Sequence, residues 1–168
     1  ISEGLEIHHE SDLPAMRGLG SSSSFTVGLL HALYVLQKWD SPTKESLAQQ
    51  ACFVEQVLIG ENVGCQDQYT ASLGGLLHIC WGQEPKVYHR IPDKGLEERL
   101  MLFHTGTYRR ASDIARGLIK AMPDKIVELQ EMLGHVQEGL GYLGQQDFLS
   151  FGRLMDENWQ IKKSLTPE

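Results

Sequence analysis

A chain of 168 residues, 41% of them apolar and 22% charged, has the composition of a globular protein and enough length to bury a sizeable core. A formal net charge of −7 without a local basic cluster argues against a nucleic-acid surface, and no run approaches the ~18 apolar residues of a membrane helix. Cys52, Cys65 and Cys80 cannot all pair and lack metal-ligand spacing, so they read as reduced thiols of a cytoplasmic protein.

In chain order, the alternation of Leu5-Glu6-Ile7-His8-His9 predicts a strand leading into Asp12-Leu13-Pro14. A strand points the adjacent His8 and His9 to opposite faces, so they read as ordinary strand histidines rather than a metal pair. Gly18-Leu19-Gly20 and four serines, Ser21 to Ser24, then run into an apolar stretch that predicts a buried helix from Ser24 to about Lys38. Ser41 as N-cap with Pro42 in the first turn predicts the next helix, on which Leu47, Ala48, Ala51, Val54 and Leu58 recur at helical spacing. Glu55 interrupts that apolar face, and spacing alone puts it on a solvated edge.

Gly60 to Tyr69 reads as a polar loop, the kind of segment that carries catalytic groups when helices hold it. Gly74-Gly75 turns into a strand, Leu76 to Trp81, whose hairpin partner is Val87 to Ile91 across Gly82-Gln83-Glu84-Pro85. A further strand, Leu100 to His104, ends at Thr105-Gly106, and helices are predicted over 112–121, 125–136 and 148–163. No internal repeat is visible, and grouped strands and helices give an α+β class. Residues 1 to 10 read as a strand in progress and no closing element precedes Glu168, so the expectation is a fragment of a longer enzyme.

The stretch with the most chemistry is Pro14 to Ser24. Its glycines permit positive φ and close approach of a ligand, and a loop feeding a helix N-terminus aims several N–H groups and the helix dipole at one spot. Phosphate binds well there. A flexible Gly/Ser linker is the alternative, but linkers do not usually lead into a helix that is apolar nearly all round. No Gly-Lys-Ser/Thr follows, which excludes a Walker A loop, and Ser23 stands where a dinucleotide-binding fold has its third glycine.

At these residues the chain resembles the GHMP kinases, whose phosphate loop reads Pro-x-x-x-Gly-Leu-Gly-Ser-Ser; residues 14 to 22 match it throughout. The resemblance implies an ATP- and Mg²⁺-dependent kinase of two-domain architecture, incomplete here at both ends. Residues 1–92 would be the C-terminal part of the ATP-binding domain and residues 93–168 the first part of the second domain. It implies that Pro14, Gly18, Leu19, Gly20, Ser21, Ser22, Ser23 and Ser24 cradle the nucleotide phosphates.

Gly64-Cys65-Gln66-Asp67-Gln68 resembles the family stretch holding the catalytic base, which makes Asp67 the base; read from the residues alone, an Asx turn also fits. Ser22 and Glu55 would share the Mg²⁺, a metal that takes oxygen ligands. Glu55 lies twelve residues before Asp67, one more than in the family, which calls for a one-residue insertion near Glu61.

Gln66, Thr105, Arg109 and Ser112 would contact substrate; Arg109 suits a phosphate because its guanidinium forks onto two oxygens, and a solvated arginine at a helix start fits as well. Residues 12 to 34, 58 to 69 and 159 to 165 resemble in particular the D-glycero-D-manno-heptose 7-phosphate kinases, with Cys65 where serine is usual.

The function this resemblance implies is phosphorylation of the anomeric hydroxyl of a heptose 7-phosphate, feeding surface-polysaccharide synthesis. A fucokinase-like or other sugar-1-kinase is the alternative, and a noncatalytic ligand sensor on the same scaffold is the rival of another class. The partner is a small sugar phosphate, with neither nucleic acid nor membrane implied. The chain by itself is expected to be inactive.

Overall fold

The computed structural model describes residues 4–12, 18–82, 86–91, 95–106, 117–119 and 121–165. Pro14, Arg109 and Ser112 of the expected site lie outside them, as does most of the helix predicted over 112–121, of which residues 117–119 and 121 are helical. The chain divides into two compact units, residues 1–74 with 105–112, and residues 75–104 with 113–168.

The first unit is built from three mutually packed helices: α1 (Ser21–Leu36), α2 (Lys44–Phe53) and α3 (Gln66–Leu73). Between α2 and α3 the chain continues as a π-helical stretch, Val54–Ile59, closed by Gly60 in the left-handed region. Val27 of α1 with Leu47 and Ala51 of α2 form the centre of the core, and Leu30 packs against them. Ala48 and Ala51 are both 0% exposed, and their small side chains let the neighbouring helices approach closely. Ser72 Oγ donates to the Lys44 carbonyl at 2.6 Å, fastening the end of α3 to the start of α2.

Several expectations change here. The start of α1 is Ser21 rather than Ser24, because Gly20 takes the N-cap position and the Ser24 N–H closes the first turn on the Gly20 carbonyl at 2.9 Å. The cap of α2 is Thr43 rather than Ser41, since the Thr43 hydroxyl accepts the Ser46 N–H at 3.1 Å; Pro42 therefore precedes the helix. Gln66–Leu73 is a helix, and its first four residues lie where the loop through Tyr69 was expected. Its buried positions, Gln68, Tyr69, Ser72 and Leu73, form a helical face, but two of the four are polar and mask the apolar period.

The expected apolar face of α2 breaks after Val54. Leu58 is exposed and Glu55 is buried, because a π-helical turn carries an extra residue and rotates the later side chains away from their α-helical directions. Residues 4–12 carry no strand, and neither does Leu100 to His104. Alternation or apolarity marks a segment that fits a sheet, but a strand needs a hydrogen-bonded ladder, and among the described residues neither segment has one. Leu100, Met101, Leu102 and Phe103 are all well exposed.

The second unit contains an antiparallel hairpin, β1 (Leu76–Cys80) with β2 (Lys86–Ile91), close to its predicted bounds except that Trp81 falls outside. Leu76 pairs with Ile91 and His78 with His89; the register then shifts to Ile79 with Val87, so Tyr88 is the extra residue of a bulge.

The unit also holds a helical hairpin, α4 (Ile126–Gln145) and α5 (Phe148–Leu165), turned at Gln146, which adopts φ +58°. Asp147 caps α5 by accepting the Ser150 N–H at 3.1 Å; the Ser150 hydroxyl and, after it, this N–H hold its carboxyl below the usual carboxylate range. Helix α4 runs well past the predicted end at residue 136, through Gly139, Gly141 and Gly144. Gly139 has a packing reason: a Cβ there would stand 3.3 Å from Phe151 and 3.4 Å from Leu154 of α5. The described elements are thus mostly helical, with a single hairpin.

Candidate active site

The loop expected to hold phosphate enters α1 through Gly18 (φ +73°) and Gly20 (φ +71°), both in the left-handed region that glycine occupies without strain. No side chain caps α1, which leaves N–H groups of its first turn for a ligand. Leu19, Ser21 and Ser24 border a cleft of about 450 Å³ with Phe25, Ile7 and His9, and the His9 and Phe25 rings meet edge to face at 4.7 Å. Ser24 also borders a second cleft, of about 320 Å³, between α1 and the start of α2.

Two loop serines turn the other way, toward Glu55. That residue is 3% exposed, which overturns the solvated edge that spacing alone suggested. Its Oε2 accepts Ser23 Oγ at 3.1 Å and Gln68 Nε2 at 2.5 Å. Its Oε1 accepts Thr26 Oγ1 at 2.9 Å, and Ser22 Oγ stands 3.5 Å away. One carboxylate therefore ties the start of α1, the π-helical stretch and α3 together.

Asp67 lies in the first turn of α3, not in a loop, so an Asx turn does not describe it. A Cβ built on Gly20 would lie 3.4 Å from Asp67 Cγ and 3.5 Å from Oδ2, so the carboxylate stands one methyl group away from the second glycine of the loop. Gly20→Ala forces a side chain into positive φ against that carboxylate. Its expected cost is about 1–2 kcal/mol, read as a thermal midpoint lower by several degrees with a weakened nucleotide Kd; an unchanged midpoint and Kd would show that the turn carries no such constraint.

The sequence-expected residues thus divide. Ser22, Ser23, Glu55 and Asp67 converge on the loop. Gln66 is exposed, and its carbonyl accepts Thr70 Oγ1 at 2.5 Å. Thr105 is exposed, and none of the hydrogen bonds around Glu55 reaches it. Thr26 and Gln68 were missed as partners of Glu55. Their signal was positional: Thr26 follows Ser22 by one helical turn, and Gln68 adjoins Asp67.

The donor set suits Mg²⁺. Ser22 Oγ and Glu55 Oε1 are hard oxygens within the span of one small cation, and among the described residues every partner of the buried carboxylate is neutral, leaving its charge uncompensated. No group of three or more His, Cys, Asp or Glu that could hold a metal occurs among the described residues, so phosphate and water would complete such a shell. Next to Glu55 in the helix, Cys52 is buried. That burial, the Cys65 thiol and, less, the Glu55 charge hold its thiol well above the ordinary range, so it stays protonated.

Residues 1–75 match the family described as GHMP kinases N terminal domain. The chain is 29% identical over 171 positions to D-glycero-alpha-D-manno-heptose 7-phosphate kinase of Campylobacter jejuni, covering 95% of this chain and 49% of that one. It is 27% identical over 176 positions to L-fucokinase/L-fucose-1-P guanylyltransferase of Bacteroides fragilis, covering 96% of this chain and 18% of that one. No solved structure matches. The chain therefore spans about half the length of the heptose 7-phosphate kinase and a smaller share of the bifunctional enzyme. Residues 1–75 are thus similar to a GHMP-kinase N-terminal domain, and the chain is a distant homologue of a heptose 7-phosphate kinase.

Proposed function

We propose that the protein is an ATP- and Mg²⁺-dependent sugar kinase that phosphorylates the anomeric hydroxyl of a heptose 7-phosphate. The observation that carries this reading is that Asp67 and Glu55 flank one loop. The Asp67 carboxylate stands beside Gly20, and Glu55 takes hydrogen bonds from Ser23 and Thr26 just beyond it.

In this reading the N–H groups at the start of α1 hold the nucleotide phosphates. Ser22 and Glu55 hold the Mg²⁺, which when bound neutralises charge on the transferring phosphate. Asp67 accepts the proton of the sugar hydroxyl, and an anomeric hydroxyl, more acidic than an ordinary alcohol, suits a carboxylate base. Gln66, Thr105, Arg109 and Ser112 are the proposed sugar-side contacts. Residues 1–92 and 93–168 are the proposed shares of two domains. No helix among the described residues is long and apolar enough to cross a membrane. We assign the activity to the cytoplasm, supplying activated heptose for surface polysaccharide.

The test is an ADP-release screen of the full-length protein with heptose 7-phosphate, L-fucose and other sugars and sugar phosphates. The expected result is the highest kcat/KM for heptose 7-phosphate. Preference for L-fucose would support the second reading, which the resemblance to the fucokinase favours. Sugar binding without turnover of any substrate would make the protein a noncatalytic sensor.

A further inference from the structure

We propose that Gln68 is a positioning residue for the metal site: its amide fixes the Glu55 carboxylate so that Oε1, beside Ser22, is the oxygen presented to the cation. The inference rests on the reading of Ser22 and Glu55 as metal ligands and names the residue that orients them.

The two Glu55 oxygens are held unequally. Oε2 takes Ser23 Oγ at 3.1 Å and Gln68 Nε2 at 2.5 Å, which fills both of its in-plane lone-pair directions. Oε1 has one ordinary bond, from Thr26 at 2.9 Å, and Ser22 Oγ at 3.5 Å, the outer limit of a hydrogen bond. The oxygen with capacity to spare is the one next to the loop serine. Without the Gln68 donor the carboxylate could rotate and exchange its oxygens.

Three properties suit Gln68 to this task. It is 0% exposed, so water does not compete for the amide. It is neutral, so it orients Glu55 without cancelling the charge that attracts a cation, as a lysine would. Its own Oε1 is buried without a hydrogen-bond partner, so the Nε2 bond to Glu55 is the contact that fixes the amide. Asp67 and Gln68 are consecutive in α3, so one helical turn sets both the candidate base against Gly20 and the clamp on Glu55.

The test uses the full-length protein and Mn²⁺ as probe, its free concentration read by electron paramagnetic resonance in the presence of ADP. Gln68→Met keeps the length and removes the donor; outer-shell partners of metal ligands typically contribute about 10–100-fold in affinity, and a rise in Mn²⁺ Kd in that range is expected. ADP affinity without metal should change by less than about twofold, a split that a general loss of structure would not produce. Gln68→Asn keeps an amide one methylene shorter and should give a smaller rise, which preserves the test if the methionine variant does not fold.

Unchanged Mn²⁺ affinity in the Gln68 variants, with Glu55→Gln and Ser22→Ala both weakened, would overturn the role of Gln68 alone. Mn²⁺ binding that is absent in the wild type, or indifferent to Glu55→Gln and Ser22→Ala, would overturn the metal site and this inference together.

Discussion

Asp67→Asn in the full-length protein is expected to lower kcat by about 10²–10⁴-fold, the usual loss when a general base is removed, while the nucleotide Kd stays within about threefold. The substitution keeps the shape of the side chain. Asp67 is exposed at the start of α3, where its charge gains only a modest helix-dipole contribution, so the fold should tolerate the change. The fit beside Gly20 is steric and survives in the amide. What disappears is the candidate proton acceptor next to the glycine loop. A single-turnover measurement separates the chemical step from product release, and a variant within threefold of wild type in that step would remove Asp67 from the role.

The glycine turn into α1 was legible because its signal is local. Gly18 and Gly20 need positive φ, the serines follow at once, and a helix must begin there; no distant contact enters that argument. The hairpin and α5 were legible for similar reasons, a Gly-Pro-containing connection between two apolar runs and a helical period over many residues. Glu55 was not. Its burial depends on Ser23 and Thr26, about thirty residues earlier in the chain, and on Gln68 thirteen residues later; a helical wheel of α2 contains none of them. The wheel also assumes α-helical periodicity, which fails at Val54–Ile59.

The strand expected at Leu100 to His104 failed for the complementary reason: five residues can have strand composition, but the ladder lies in other segments. The polar face of α3 was misread because Gln68 and Ser72 are buried by hydrogen bonding rather than by hydrophobicity. Where polar groups form the core, the apolar period loses its information, and such places coincide with the candidate chemistry here.

Glu55→Gln is the substitution that separates a metal ligand from a structural hub. The carboxylate accepts from Ser23, Thr26 and Gln68, with Ser22 at the limit of contact. The replacement amide has one accepting oxygen and an NH₂ group that must find acceptors. The serine and threonine hydroxyls can rotate to accept, and Gln68 can turn its own unpartnered Oε1 toward the new donor. The network can therefore close again, and the expected loss of stability is about 1–3 kcal/mol, measured by denaturant unfolding. Glu55→Ala has no such route: it leaves several buried donors unpaired around a void, with an expected cost of about 3–5 kcal/mol or failure to fold. Metal affinity follows a different rule, because an amide carries no charge and Mg²⁺ prefers carboxylate oxygen. The Mg²⁺ concentration for half-maximal rate should rise by about tenfold or more in Glu55→Gln, with the sugar KM changed by less than about twofold. Ser22→Ala should raise it less, since a hydroxyl is the weaker ligand. If Glu55→Gln loses stability as expected but its Mg²⁺ titration overlays that of the wild type, Glu55 is a hub that joins three segments of the first unit, and the cation must be sought on other oxygens around the loop.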